Sequence, residues 1–198
     1  MADEPEAVPA PAESEEEEVT PGYKAPEVKS LDEIQNLDAD DDSLVKYKQT
    51  LLGNSGSVLD EGGPNVILKA FVFAPVDHPD VEMDLTGDIA QWKSKPLIVK
   101  EGAQYRVVIR FRVQREIVAG LRYFQTIHRK GIRVDKSNLM VGSYGPKSQV
   151  QEFRTPIEDA PSGMISRGHY VIKSKFTDDD KNIYLEWEWA IDIKKDWA

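Results

Sequence analysis

The chain of 198 residues has no cysteine and only three histidines. Without cysteine there is no disulfide framework, no thiolate nucleophile and no sulfur-ligated metal. His78, His128 and His169 stand too far apart for metal-ligand spacing. No run of 18 apolar residues occurs, which excludes an ordinary transmembrane helix. The opening stretch, MADEPEAVPAPAESEEEE, lacks the positive charge and apolar core of a signal peptide. No G-x-S-x-G, Walker or G-x-G-x-x-G pattern is present. Gly142-Ser143-Tyr144-Gly145 is too short to cradle phosphates and reads as a turn. Together these absences argue against an enzyme, a cofactor or a resident metal, and they point to the cytosol.

The charge that is present is unevenly placed. Residues 1–42 carry 15 Asp/Glu against two Lys, while residues 43–198 carry 20 acidic and 23 basic side chains. The net −10 is therefore an arm of −13 on a body of +3. An acidic balance of this size argues against nucleic acid as a partner and against an anionic membrane held by a basic face. Arg106, Arg110, Arg112 and Arg115 cluster locally and read as the solvated face of a strand.

Residues 1–29 are rich in Pro, Ala and Glu without periodicity and are expected to be disordered. Ser30-x-x-Glu33 is a capping box, followed by Leu31, Ile34 and Leu37 at helical spacing. Asp40-Asp41-Asp42 offers a second helix start, with Leu44, Tyr47 and Leu51 on one face and Gly53 as a stop. Residues 30–53 thus read as two short helices, each below the roughly 12–15 residues needed for marginal stability alone. Their apolar stripe must dock on the chain's own body or on another protein. Residues 54–63, rich in glycine, read as a flexible linker.

From Pro64 the period changes to two. Strands are expected at 65–74, 81–85 and 97–100. Tyr105, Val107, Ile109, Phe111 and Val113 alternate with Arg106, Val108, Arg110, Arg112 and Gln114. Leu185, Trp187, Trp189, Ile191 and Ile193 alternate with Glu186, Glu188, Ala190, Asp192 and Lys194. Apolar side chains inward and charged ones outward describe half-buried antiparallel strands. Turn signals fall at 101–102, 142–146, 161–163 and 178–180. Many short strands without intervening helices imply an all-β, two-sheet sandwich over 64–198. Asp178-Asp179-Asp180 could suit calcium, but a calcium site needs six to eight oxygens from several segments. The run reads better as a charged hairpin turn. The inward aromatic positions, Phe71, Phe73, Tyr170, Phe176, Trp187 and Trp189, fit either a filled core or a cavity for a long apolar ligand.

The stretches DLTGD (84–88), RFRVQREIVAGLRY (110–123), RKGIRVDK (129–136), LMVGSYGP (139–146) and IKSKFTDDDKNIYLEWEW (172–189) resemble the Rho GDP-dissociation inhibitor family. So does EIQNLDADDDSLVKYKQTLLG (33–53) ahead of the glycine-rich linker. The resemblance runs in order over about residues 20–196. It implies an immunoglobulin-like β-sandwich behind a partly disordered arm with two short helices. It also implies binding of geranylgeranylated Rho- and Rac-type small GTPases, mainly GDP-bound, in a 1:1 heterodimer. The isoprenoid is then part of the partner, and the activity is inhibition of GDP release with extraction from membranes.

Residue by residue, the resemblance implies that Asp41, Ser43, Tyr47, Leu51 and Leu52 of the arm meet the GTPase switch loops. Phe73, Leu97, Ile117, Ile172 and Trp189 would line the isoprenoid pocket. Asp135, Asp179 and Asp180 would face the GTPase, with Glu158 and Asp159 near its basic tail. Leu139 stands where relatives often carry Tyr, so no hydroxyl contact is implied there. The rival readings are a general prenyl- or acyl-group carrier with a β-sandwich pocket, a calcium-dependent lipid-binding module and an adhesion-type sandwich.

Overall fold

A computed structural model describes residues 41–46 and 62–197. Among these, ten strands form: β1 Val66–Pro75, β2 Val81–Asp84, β3 Leu97–Lys100, β4 Gln104–Val113, β5 Val118–Arg129, β6 Ile132–Tyr144, β7 Gln151–Arg154, β8 Glu158–Asp159, β9 Gly168–Thr177 and β10 Ile183–Lys194. One sheet has the order β2-β1-β4-β7, with β8 also pairing β4. The other has the order β3-β10-β9-β5-β6. All pairs are antiparallel except β3 with β10. The chain is an all-β sandwich, as the period-two pattern and short turns require.

The two sheets face each other through the inward residues of each alternating run. Phe71, Phe73, Met83, Ile109 and Phe111 of the first sheet meet Tyr123, Ile172, Phe176, Trp187 and Trp189 of the second in one buried cluster. Phe71 sits at its centre, with its ring 5.0 Å from Trp189 and 5.4 Å from Trp187. Offset and edge-on ring contacts of this kind each add about 0.5–1.5 kcal/mol beyond the area they bury.

Two hairpins fix the second sheet. Between β5 and β6, Lys130 and Gly131 have φ of 51° and 81°. Two consecutive positive φ values make the primed turn that matches strand twist. Between β9 and β10, the buried Asp178 carboxylate accepts from the Asn182 backbone N–H at 2.9 Å, from Asn182 Nδ2 at 2.9 Å and from Tyr184 Oη at 2.6 Å. That side chain closes the 178–180 turn from within.

The structure departs from the sequence reading at several points, among them a helical turn, Gln91–Ser94, between β2 and β3. Arg112 and Gln114 were expected on a solvated face, yet both are buried. For Gln114 the reason is the entering chain, which folds over this end of β4. Gln114 Nε2 donates to the carbonyls of Gly62 at 2.9 Å and Pro64 at 2.7 Å, and Arg115 Nη2 donates to that of Gly63 at 2.6 Å. The last two residues of the expected 54–63 linker are therefore tied to the sandwich. The turn expected at 142–146 begins later, because β6 continues pairing through Tyr144 with Val118.

Of the arm, residues 42–46 are helical. Asp41 caps this turn: its Oδ1 accepts from the Ser43 and Leu44 backbone N–H groups at 2.8 and 3.1 Å. That is the role an Asp takes where a helix begins. The expected disordered lead at 1–29, the capping box at Ser30, residues Tyr47, Leu51 and Leu52, and linker residues 54–61 lie outside the described residues.

Candidate functional site

Four of the five expected pocket residues gather toward one end of the sandwich. Trp189 registers with Ile172, and Leu97 registers with Ile191 two residues along β10. Phe73 reaches across from β1, its ring 6.3 Å from Trp189 and 4.9 Å from Tyr105. A cavity of about 180 Å³ opens here, lined by Phe73, Pro75, His78, Val81, Leu97, Ile98 and Trp197. Trp197 stacks on His78 across it at 4.2 Å between ring centres. The volume is below the roughly 300–1,000 Å³ of pockets that hold drug-sized ligands. The interior is thus filled by side chains, with a cleft beside Phe73 and Leu97. Admitting a long chain requires the rings to move.

Ile117 is placed elsewhere. It follows β4 in the connection to β5, where Asn65 Nδ2 donates to the Glu116 carbonyl at 3.0 Å. Asn65 precedes β1, eight residues before Phe73, which is about 26 Å of strand. A larger trough of about 320 Å³ lies on the outer face of the first sheet, between Arg106, Arg110, Arg154, Asp80 and Glu152. Arg110, Arg154 and Glu152 of its lining are joined in ion pairs. Arg110 bonds both Glu82 at 2.6 Å and Glu152 at 3.2 Å, and hydrogen bonds from Arg154 and Arg110 hold the Glu152 carboxyl below its ordinary range. Pro75 lines both this trough and the cleft.

A hydrogen-bonded chain crosses the buried face of the second sheet. Trp189 Nε1–H donates to Ser174 Oγ at 3.1 Å. Ser174 Oγ lies 2.9 Å from Tyr123 Oη, which donates to Gln125 Oε1 at 2.7 Å. Because the tyrosine hydrogen goes to Gln125, the serine hydrogen goes to Tyr123. Each hydroxyl then donates once and accepts once. Burial pushes the Tyr123 hydroxyl far above its ordinary range, so it stays protonated. This chain fixes the Trp189 ring from behind, whereas Phe73 is held by contacts alone.

The five carboxylates expected to face a partner divide between the two ends. At the cleft end, Tyr105 Oη donates to Glu158 Oε2 at 3.4 Å. Burial raises the Glu158 carboxyl above its usual value, and the nearby Asp135 charge adds to this. Asp135 registers with Ile127, in the same row as Ile172 and Trp189. Asp159 accepts from Gln104 Nε2 at 3.1 Å. Asp179 and Asp180 sit in the β9–β10 turn. Asp179 is paired with Arg122 at 2.9 Å, and Arg122 lies five residues, about 17 Å, from Ile127 along β5. Asp41 and Ser43 are exposed on the arm helix. Among the described residues, no group of three or more His, Asp or Glu is arranged to hold a metal ion.

Sequence reasoning missed Tyr105, Tyr123, Gln125, Ser174, His78 and Trp197. Two of them left a signal. Ser174 stands between Ile172 and Phe176, and Gln125 between Tyr123 and Ile127, at inward positions of alternating runs. A polar side chain there must be hydrogen-bonded. His78 and Trp197 lie outside any periodic run.

The sequence pattern described as RHO protein GDP dissociation inhibitor matches residues 9–196. Rho GDP-dissociation inhibitor 1 of Homo sapiens is 51% identical over 187 residues, covering 94% of this chain and 92% of that protein. The chain belongs to the Rho GDP-dissociation inhibitor family. Rho GDP-dissociation inhibitor 3 of Bos taurus is 47% identical over 188 residues, covering 94% of this chain and 84% of its own. Rho GDP-dissociation inhibitor 3 of Homo sapiens is 49% identical over 182 residues, covering 91% and 81%. Members of this family are regulators of Rho-type GTPases rather than enzymes. Among those residues, no helix is long and apolar enough to cross a membrane.

Proposed function

We propose that this Rho GDP-dissociation inhibitor holds geranylgeranylated, mainly GDP-bound Rho- or Rac-type GTPases one-to-one in the cytosol, with the isoprenoid between its sheets. The observation that carries this reading is the cleft beside Phe73 and Leu97, which leads to the rings of Tyr105 and Trp189. Burial of a lipid contributes about 0.8 kcal/mol per CH₂, whether in a bilayer or in a protein. A 20-carbon chain therefore gains little by moving from one to the other, and extraction needs a second contact. The arm supplies it by folding on the GTPase, which makes attachment bivalent. Holding the switch loops in their GDP arrangement slows nucleotide release, because release requires those loops to move.

The test mixes the protein with membrane-bound geranylgeranylated Rho·GDP and with unprenylated Rho·GDP, following extraction and GDP release. Wild type should extract the first and slow GDP release. Removing residues 1–53 should abolish the effect on GDP release while lipid binding persists. If that deletion leaves inhibition of GDP release intact, the protein acts through its lipid pocket alone, as a prenyl- or acyl-group carrier would. Loss of neither activity, or absence of both in wild type, defeats the proposal.

The cap of the arm gives a finer check. Asp41→Ala removes the acceptor for two backbone N–H groups and should cost the helix about 0.5–2 kcal/mol. Where the helix forms on binding, this appears as roughly 2- to 30-fold weaker binding of unprenylated GTPase. Titration by calorimetry reads it, and Asp41→Ser should restore most of the loss.

A further inference from the structure

Exposed apolar side chains are concentrated at one end of the sandwich. The four most exposed large ones among the described residues are Ile165 at 87%, Met164 at 81%, Ile132 at 71% and Val76 at 63%. Ile132 begins β6 at the tip of the β5–β6 hairpin, with Val134 beside it. Met164 and Ile165 lie in the β8–β9 loop. Val76 follows β1, and its N–H donates to the Gln104 carbonyl at the start of β4 at 2.9 Å. These three connections surround the end where Tyr105, Glu158 and Asp135 meet.

The loops are braced in this position. Arg129 Nη2 donates to the Arg167 carbonyl at 2.8 Å, tying hairpin to loop, and its guanidinium lies 5.2 Å from the centre of the Tyr170 ring. Arg167 and the Gly163 N–H both hold Glu101, at 2.7 and 3.1 Å. Tyr170 Oη donates to the Ser166 carbonyl at 2.7 Å. Aliphatic side chains held in water by a braced backbone mark an interaction surface.

The β5–β6 hairpin at this end is locally basic, opposite in sign to the chain, while the acids Glu101, Glu158 and Asp159 lie beside the other loops. Residues 129–136 carry Arg129, Lys130, Arg133 and Lys136 against the single acid Asp135. Aliphatic side chains on projecting turns, flanked by cations, match the lipid headgroup boundary: the aliphatics enter it and the cations meet anionic phosphates. A protein contact would instead be expected to centre on aromatic or arginine anchors seated in pockets.

We propose that this end of the sandwich is a docking surface for an anionic lipid bilayer, with Ile132, Met164 and Ile165 entering the headgroup region. Docking sets the neighbouring cleft against the bilayer from which a lipid would come. The surface does not depend on the isoprenoid reading, because it can be examined with neither GTPase nor isoprenoid present. The acidic arm opposes docking, so the contact is transient and salt-sensitive.

The full chain alone is sedimented with phosphatidylcholine vesicles and with phosphatidylcholine–phosphatidylserine vesicles, at low and at physiological salt. Wild type should associate with the anionic vesicles several-fold more than with the neutral ones, and less as salt rises. Met164→Ser with Ile165→Ser should lower this association by roughly fivefold or more. Lys130→Glu with Arg133→Glu should remove the preference for anionic lipid. An unchanged urea midpoint confirms that each variant is folded. Absence of wild-type association, or association unaltered by the serine pair, overturns the proposal. So does a serine pair that weakens only the binding of unprenylated Rho-type GTPase, which would assign the surface to a protein partner.

Discussion

Trp189→Ala should lose about 3–5 kcal/mol of stability, read as a large fall in the urea midpoint at unchanged slope. The ring is 2% exposed and stands within 5.0 Å of Phe71 and 6.3 Å of Phe73, centre to centre. Removing it empties the middle of the core. Its partners there are mostly rings and a β-branched strand neighbour, Ile172, which cannot collapse freely into the space. The substitution also withdraws the indole N–H that donates to Ser174 Oγ. The serine can still donate to Tyr123, so the polar part of the loss is small. Trp189→Phe should therefore retain more than half of the stability that alanine loses.

Ser174→Ala separates the two contributions. It leaves the buried Trp189 N–H without its acceptor, at about 1–3 kcal/mol, while removing almost no volume. Where Trp189 forms the fixed wall of a lipid site, Ser174→Ala should weaken binding of a prenylated partner. It should leave binding of the unprenylated one unchanged. A Trp189→Ala protein that unfolds at the wild-type urea midpoint would show that the ring is not part of the packed interior.

Much of the fold is legible in the sequence where burial is one-sided. The inward run from Tyr105 to Val113 and the inward run from Trp187 to Ile193 follow from period two, because the residues between them are mostly polar. The signal weakens in β6, where residues 132–136 are exposed on both faces beyond the edge of the packed interior. It fails for β8, which is two residues long. Burial of Gln114 cannot be read from β4 at all, since it is created by residues 62–64 crossing the strand end.

The site divides in a similar way. Resemblance gives residue identity, and the fold decides distance. Phe73, Leu97, Ile172 and Trp189 converge because β1, β3, β9 and β10 bring them to one end. Ile117 belongs to a connection anchored at the other end. The polar chain behind Trp189 links β5, β9 and β10; the 178–180 hairpin makes β9 and β10 neighbours, but no local pattern places β5 beside β9. Each of its members satisfies the next, so a small change at Ser174 reaches the Trp189 ring, on which the cleft-lining Phe73 packs.

Gly120→Ala should cost about 2–3 kcal/mol, of which about 1 kcal/mol should vanish when Asp179 is also removed. Gly120 has φ of +63°, a left-handed conformation that costs a residue with a side chain roughly 1–2 kcal/mol. A Cβ there would lie 1.8 Å from Asp179 Oδ2 and 2.1 Å from its Cγ, closer than any real contact. The Asp179 carboxylate must swing away, which breaks its 2.9 Å pair with Arg122. Both partners are more than a third exposed, so that pair contributes at most about 1 kcal/mol. Backbone strain and lost pairing are thus distinct, and a double-mutant cycle resolves them. Asp179→Ala alone should be nearly neutral for folding. In the double variant the steric clash is gone and only the left-handed cost remains, giving a coupling energy on the order of 1 kcal/mol by urea titration. A strictly additive cycle would mean that the carboxylate does not occupy the space above Gly120. Because Asp179 is also one of the carboxylates proposed to face the GTPase, Gly120→Ala should weaken partner binding as much as Asp179→Ala does. Glycine at 120 thus lets the Asp179 carboxylate lie on the strand and be held there by Arg122.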